Sequence, residues 1–290
     1  MSKPPRLTLP SVARAYRLVT ARGEFAVQEA GGPVRGTALL VPGYTGSKED
    51  FVALLEPLAA AGYRVVAVDG RGQYQSPGPR AEAPYALEEL ARDVLAQTAA
   101  LGGGPVHLVG HSLGGLVSRA AVLRDASPFA SLTLMSSGPA AIDEVQQART
   151  KLLVAAVEEL REDMPAVWAA MRAHDPGDTT PDAAALTEFL RERWLATVPE
   201  QLIVTGRVLI QEPDRVAELA AVALPKLVLS GTVDYAWPVP QLDDMARRLG
   251  AHRFVVPAAE HSPNAENPQV TAGALVAFWD SCEGFGPRTS

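Results

Sequence analysis

The sequence predicts an α/β fold, a mostly parallel sheet flanked by helices. Three observations predict it. Short apolar, β-branched runs alternate with amphipathic segments along most of the chain. Each run is nearly continuous in its apolar residues, as expected of strands covered on both faces. One run also turns directly into a glycine-flanked helical segment. Strand–helix alternation of this kind argues for a parallel sheet with right-handed crossovers.

In chain order, AYRLVTARGEFAVQEAG has a turn at Arg22-Gly23 and reads as an antiparallel hairpin added to one edge. The strands that follow are TALLVPGY (37–44), YRVVAVDG (63–70), PVHLVGHS (105–112), SLTLMSSG (131–138), PKLVLSG (225–231) and HRFVVPA (252–258). Helical patterns separate them: KEDFVALLEPLAAAG, YALEELARDVLAQTAAL, LGGLVSRAAVLRD, PQLDDMARRLG and, last, NPQVTAGALVAFWD. In the second of these, Leu87, Leu90, Ala91, Val94 and Leu95 follow one-sided helical spacing. From Pro139 to about Ala223 the rhythm breaks. Only helix-like segments occur there, among them EVQQARTKLLVAAVEELRED, DAAALTEFLRERWLAT and DRVAELAAVA. Pro165, His174-Asp175-Pro176-Gly177, Pro181, Pro199 and Pro213 punctuate them. The expected organisation is a core of residues 1–138 and 224–290 with a helical insertion of residues 139–223. Such an insertion is a lid over a site or a small separate domain.

Composition narrows the function. The chain has 290 residues, 47% hydrophobic and 20% charged, and a net charge of −7. No basic stripe stands out, so nucleic acid and anionic membranes are poor partners, and a small-molecule substrate is expected. Cys282 is the only cysteine, which excludes an internal disulfide and a multi-cysteine metal site. No run approaches the roughly 20 apolar residues of a membrane span. The N-terminal MSKPPRLTLPSVARAY has no signal-like apolar run, so the expected location is the cytoplasm.

The chemistry is expected at Gly110-His111-Ser112-Leu113-Gly114-Gly115, where VHLVG as a strand meets LGGLVSRAAVL as a helix. In that context G-x-S-x-G lifts a serine hydroxyl above the carboxyl edge of the sheet. An alcohol is a weak nucleophile, so it needs a base within reach, and the base needs an orienting acid. Of five histidines, His107 lies within a strand, His111 is directed away from Ser112, His174 is in the insertion and His252 opens a strand. His261 follows the last strand in a polar loop at the same edge and is the candidate base. Asp234, after LVLSGTV, is the candidate acid. The chain order Ser112, Asp234, His261 fits.

With these residues the chain resembles the α/β-hydrolase superfamily, serine-nucleophile branch, over nearly its whole length. The matching residues are Gly110 to Gly115, Val68-Asp69-Gly70-Arg71-Gly72, Ser230-Gly231 leading to Asp234, and Glu260-His261-Ser262 followed by Glu266-Asn267-Pro268. The resemblance implies an α/β-hydrolase fold with an eight-stranded sheet, a Ser112/Asp234/His261 catalytic triad and a helical cap inserted after strand six. It also implies an oxyanion hole from the backbone N–H groups of Leu113 and Tyr44, although Pro42-Gly43 stands where many relatives carry histidine-glycine. Neither a metal nor an organic cofactor is required. Asp69 to Gly72 is expected to brace the sheet edge and Glu266 to cap the last helix; Trp168, Trp194 and Trp237 are expected mainly to pack. The default reaction is hydrolysis of a small or medium carboxylic ester through an acyl-enzyme. The alternative is a carbon–carbon hydrolase or lyase using the same three residues.

Overall fold

A computed structural model describes residue 4, residues 6–173 and residues 181–284. The turn expected at His174 to Gly177 lies outside the described residues. Among those described, eight strands form one sheet: β1 (Ala13–Thr20), β2 (Gly23–Ala30), β3 (Gly36–Val41), β4 (Tyr63–Val68), β5 (Val106–His111), β6 (Phe129–Met135), β7 (Lys226–Gly231) and β8 (His252–Val256). Their order is β1-β2-β4-β3-β5-β6-β7-β8. The strands from β3 to β8 pair in parallel, while the β1–β2 hairpin joins β4 in antiparallel fashion at one edge. The strand expected over 37–44 stops at Val41. Pro42 follows, and it has no N–H to continue a ladder.

Period-two alternation explains why the central runs are apolar throughout. Leu39, Val41, Val66, Val68 and Val228 enter the apolar cluster on one face. Ala38, Leu40, Val65, Ala67, Leu227 and Leu229 enter the cluster on the other. Helices cover both faces. The early ones are α1 (Val52–Ala60), α2 (Leu87–Leu101) and α3 (Leu113–Arg124). Between β6 and β7 lie α4 (Glu144–Glu159), α5 (Met164–Arg172), α6 (Pro181–Ala196), α7 (Pro199–Gln211) and α8 (Val216–Ala220). The last are α9 (Val239–Leu249), α10 (Pro263–Glu266) and α11 (Pro268–Glu283). Helices α2, α3 and α9 pack on the first face, α1 and α11 on the second.

The helices between β6 and β7 have an apolar cluster of their own, built from Val154, Val157, Trp168, Trp194, Leu202 and Ile203. Several contacts tie them to the sheet side. Arg193 pairs with Asp50 at 2.7 Å, both buried. The Val198 N–H donates to Gly72 O at 2.8 Å, and the Tyr44 hydroxyl donates to Leu202 O at 2.7 Å. Arg119, 1% exposed, pairs with Glu212 at 2.8 Å. No helix among the described residues is long and apolar enough to cross a membrane.

Candidate active site

Strand β5 ends at His111 and α3 begins at Leu113, so Ser112 alone makes the turn. Its φ of +54° and ψ of −121° place it where side-chain-bearing residues rarely sit. Such a conformation costs about 1–3 kcal/mol and persists only when its surroundings over-determine it. Here the Ser112 N–H donates to Met135 O at 2.9 Å, and the Gly115 N–H donates to Ser112 O at 2.9 Å. The elbow also presses on its neighbour strand: a Cβ on Gly114 would lie 2.3 Å from Val41 O. The strain therefore sits on the serine, and the flanking glycines permit close approach.

Asp234 and His261 come from the loops after β7 and β8. These loops touch at Gly231, where a Cβ would lie 2.2 Å from both Ala259 O and Glu260 O. The His261 Nδ1–H donates to Asp234 Oδ1 at 2.9 Å. That bond leaves Nε2 as the acceptor for the Ser112 hydroxyl, 3.1 Å away. All three residues are buried. Burial pulls the Asp234 carboxyl upward, but the hydrogen bond and charge of His261, with the N–H groups of Trp237 and Ala236, outweigh it and hold its pKa below the usual carboxylate value. An ionised acid is thus set against the ring nitrogen that must carry a proton. The arrangement can move a proton from hydroxyl to imidazole while the carboxylate steadies the positive charge.

Tyr44 lines the same cavity as Ser112, and the chain places the Leu113 N–H directly after the serine. Neither N–H donates to another group among the described residues. The cavity measures about 130 Å³ and is walled by Ser112, His261, Ile142, Tyr235 and, from α4, Gln146 and Thr150. Gln146 and Thr150 carry no local signature in the sequence, because nothing there gives the rotational phase of α4 against the sheet.

His111 finds a partner that its sequence context did not name. Its ring turns beneath the His261 loop, and its Nε2–H donates to His261 O at 2.8 Å. Burial, with the neighbouring His261 ring adding to it, pushes the His111 imidazolium pKa down to about 4, so the ring is neutral at ordinary pH. Glu266 differs from expectation: it accepts the Glu260 N–H and braces the same loop rather than capping α11. His107 bonds Ser131 Oγ at 2.8 Å within the core, Trp168 and Trp194 pack among the inserted helices, and Trp237 is fully buried. Arg71 pairs with Asp93 and Asp69 with Lys48, as expected of bracing residues.

The family model described as alpha/beta hydrolase fold matches residues 38–268. A pimeloyl-[acyl-carrier protein] methyl ester esterase of Aeromonas hydrophila is 31% identical over 222 residues, covering 73% of this chain and 84% of that protein. A 3-oxoadipate enol-lactonase of Acinetobacter baylyi is 24% identical over 264 residues, covering 89% and 94%. A shorter match, 40% identical over 110 residues, spans only 41% of a Variovorax paradoxus protein. Among solved structures, a hydrolase from Pseudomonas aeruginosa PA01 superposes with a TM-score of 0.72 at 25% identity, covering 91% of this chain and 98% of that one. The sheet order, the strand–serine–helix turn and these likenesses agree, and the chain belongs to the alpha/beta hydrolase fold family as a hydrolase enzyme.

Proposed function

We propose that the protein hydrolyses a small or medium carboxylic ester through an acyl-enzyme formed on Ser112. The observation that carries this reading is the unbroken line of contacts from Ser112 through His261 to Asp234. As the Ser112 oxygen bonds to the ester carbonyl carbon, its proton passes to His261 Nε2. The carbonyl oxygen gains negative charge and is held by the Tyr44 and Leu113 N–H groups. His261 returns the proton to the departing alcohol as the carbon–oxygen bond breaks. Water then repeats the sequence, releasing the acid and restoring Ser112.

The methyl ester esterase and the enol-lactonase among the relatives support ester chemistry. In this reading residues 139–223 serve as a cap, with α4 forming one wall of the cavity. At about 130 Å³ the space approaches that of the roughly 150 Å³ engineered cavity known to hold benzene, which suits a short or medium acyl group. Replacing Ser112 with alanine is expected to lower kcat about 10⁴-fold or more on p-nitrophenyl acetate while the melting temperature holds. The wild type is expected to lose activity steadily from short to long acyl chains. Wild-type turnover by the alanine variant would remove Ser112 from the mechanism, and a far greater rate on a diketone than on any ester would favour carbon–carbon cleavage.

A further inference from the structure

We propose that Gln73 is a positioning residue of this site, one that sets the direction of the Tyr44 N–H by holding the peptide unit in front of it. The inference rests on the acyl-transfer reading above.

Gln73 lies in the loop after β4, 5% exposed, with its backbone fixed on both sides: its N–H donates to Gly70 O at 3.0 Å and its carbonyl accepts from Ser76 N–H at 2.8 Å. Its side chain spans two loops. Oε1 accepts the Gly70 N–H at 3.0 Å, and Nε2 donates to Gly43 O at 2.8 Å. The reverse amide orientation would set donor against donor and acceptor against acceptor, so the network dictates the assignment. Gly43 O accepts a second bond, from the Gly46 N–H at 3.2 Å.

That carbonyl belongs to the same peptide unit as the Tyr44 N–H. In a trans peptide the two point in opposite directions, and the described residues contain no cis bond. Pinning the oxygen toward Gln73 therefore turns the N–H away from Gln73. Ser112 is close by: a Cβ on Gly43 would lie 3.2 Å from Ser112 Cβ, and Gly43, Tyr44 and Ser112 border one cavity. The Tyr44 ring is itself tethered through its hydroxyl to Leu202 O. Two donors on the Gly43 oxygen also polarise the amide, which makes its N–H a stronger donor to a developing oxyanion.

The test uses Gln73→Met, similar in length but without the donor, and Gln73→Glu, similar in shape but with an acceptor facing the carbonyl. Losing an oxyanion donor outright costs about 10²–10³ in kcat; misdirecting one is expected to cost about 10–100-fold. On p-nitrophenyl acetate kcat should fall by that factor in both variants, with KM moving less than about threefold. Affinity for a trifluoromethyl ketone should fall in step with kcat, while affinity for the product acid holds. Wild-type kcat in both variants would overturn the proposal, as would parallel losses of kcat, product affinity and melting temperature. Should the variants fail to fold, the wild-type protein carrying a phosphonate on Ser112 decides the matter by crystallography. The phosphonyl oxygen is expected on the Tyr44 nitrogen with Gln73 still on Gly43 O; a flipped peptide or an oxygen bound elsewhere overturns it. Ser112→Ala is measured in parallel. Inactive Ser112→Ala beside fully active Gln73 variants sinks the positioning role alone, whereas active Ser112→Ala sinks the underlying reading and this proposal with it.

Discussion

The carboxyl edge of the sheet and the helices inserted between β6 and β7 meet at one cavity but are built differently. At the edge, backbone presses on backbone, at Gly114 against Val41 and at Gly231 against Ala259 and Glu260. In the insertion, many ion pairs lie in partly exposed positions, such as Arg207 with Glu158 and Arg191 with Glu188, and pairs of that kind contribute little. The buried Arg193–Asp50 pair is a firmer tie to the sheet side. On the proposed reading the difference separates two tasks: strands set the geometry of proton transfer, and the insertion shapes what enters.

The largest effect that would break this comparison lies at the elbow. Alanine normally exceeds glycine by about 1 kcal/mol inside a helix. At Gly114 a Cβ would meet Val41 O at 2.3 Å and Pro42 O at 2.6 Å, and backbone cannot yield as a side chain can. The clash should outweigh the propensity, so Gly114→Ala is expected to lose about 3–5 kcal/mol in urea unfolding, along with most activity. Gly273 in α11 is the control: a Cβ there meets nothing within 4 Å, and Gly273→Ala should gain about 0.5–1 kcal/mol. Equal effects at the two glycines would mean that the edge is not tightly packed.

These glycines also mark what the sequence discloses. Glycine-flanked Ser112, His261 after the last strand and Asp234 after the one before were legible because an edge site repeats one arrangement, a polar residue just past a parallel strand. Six strands were legible from apolar runs, and the edge hairpin from its turn at Arg22-Gly23. The partner of His111 was not legible, since it lies on a loop 150 residues away in the chain. Glu266 was misread for a similar reason: an acid beside a helix start resembles a cap whether or not a nearer N–H takes it. Gln146 and Thr150 had no signature, because their positions follow from how separate elements meet.

His111 gives the next effect, read through pH. Its folded pKa of about 4 lies below the unfolded value of about 6.5. Between those values the unfolded chain holds the extra proton, so stability falls as pH drops through this window and levels off beyond each end. At pH 5 the loss relative to pH 7.5 is about 2 kcal/mol from this residue. His107, also pushed to about 4 by burial, acts in the same direction. Asp234, with its depressed pKa, gives up its contribution only at lower pH, as the solution falls through that folded value. His111→Gln keeps a donor near His261 O and removes the titration. Its unfolding free energy should therefore drop about 2 kcal/mol less than the wild type between pH 7.5 and pH 5. Equal drops would show His111 charged in the folded protein and the edge wetter than its packing implies.

The smallest effect sharpens the other half of the comparison. The phase of α4 is set at its start, where the Asp143 carboxylate caps the Val145 N–H at 2.9 Å and the Asp143 N–H donates to Ala236 O at 2.8 Å, beside Asp234. With that turn fixed, Gln146 and Thr150, four residues apart, face the same cavity. Both are half-buried, and neither side chain bonds to the protein among the described residues. On the proposed reading their hydrogen-bonding capacity serves a substrate. Gln146→Leu exchanges that capacity for apolar surface of similar size. A neutral hydrogen bond contributes about 1 kcal/mol, so the ratio of kcat/KM for a hydroxyl-bearing acyl ester over its apolar counterpart should fall about fivefold. Thermal stability should shift by less than about 0.5 kcal/mol, since the residue supports no packing of the edge. A ratio that stays constant while stability drops would place Gln146 in the structure of the site rather than in its selectivity, and the division between a rigid edge and a selective insertion would fail at its most exposed contact.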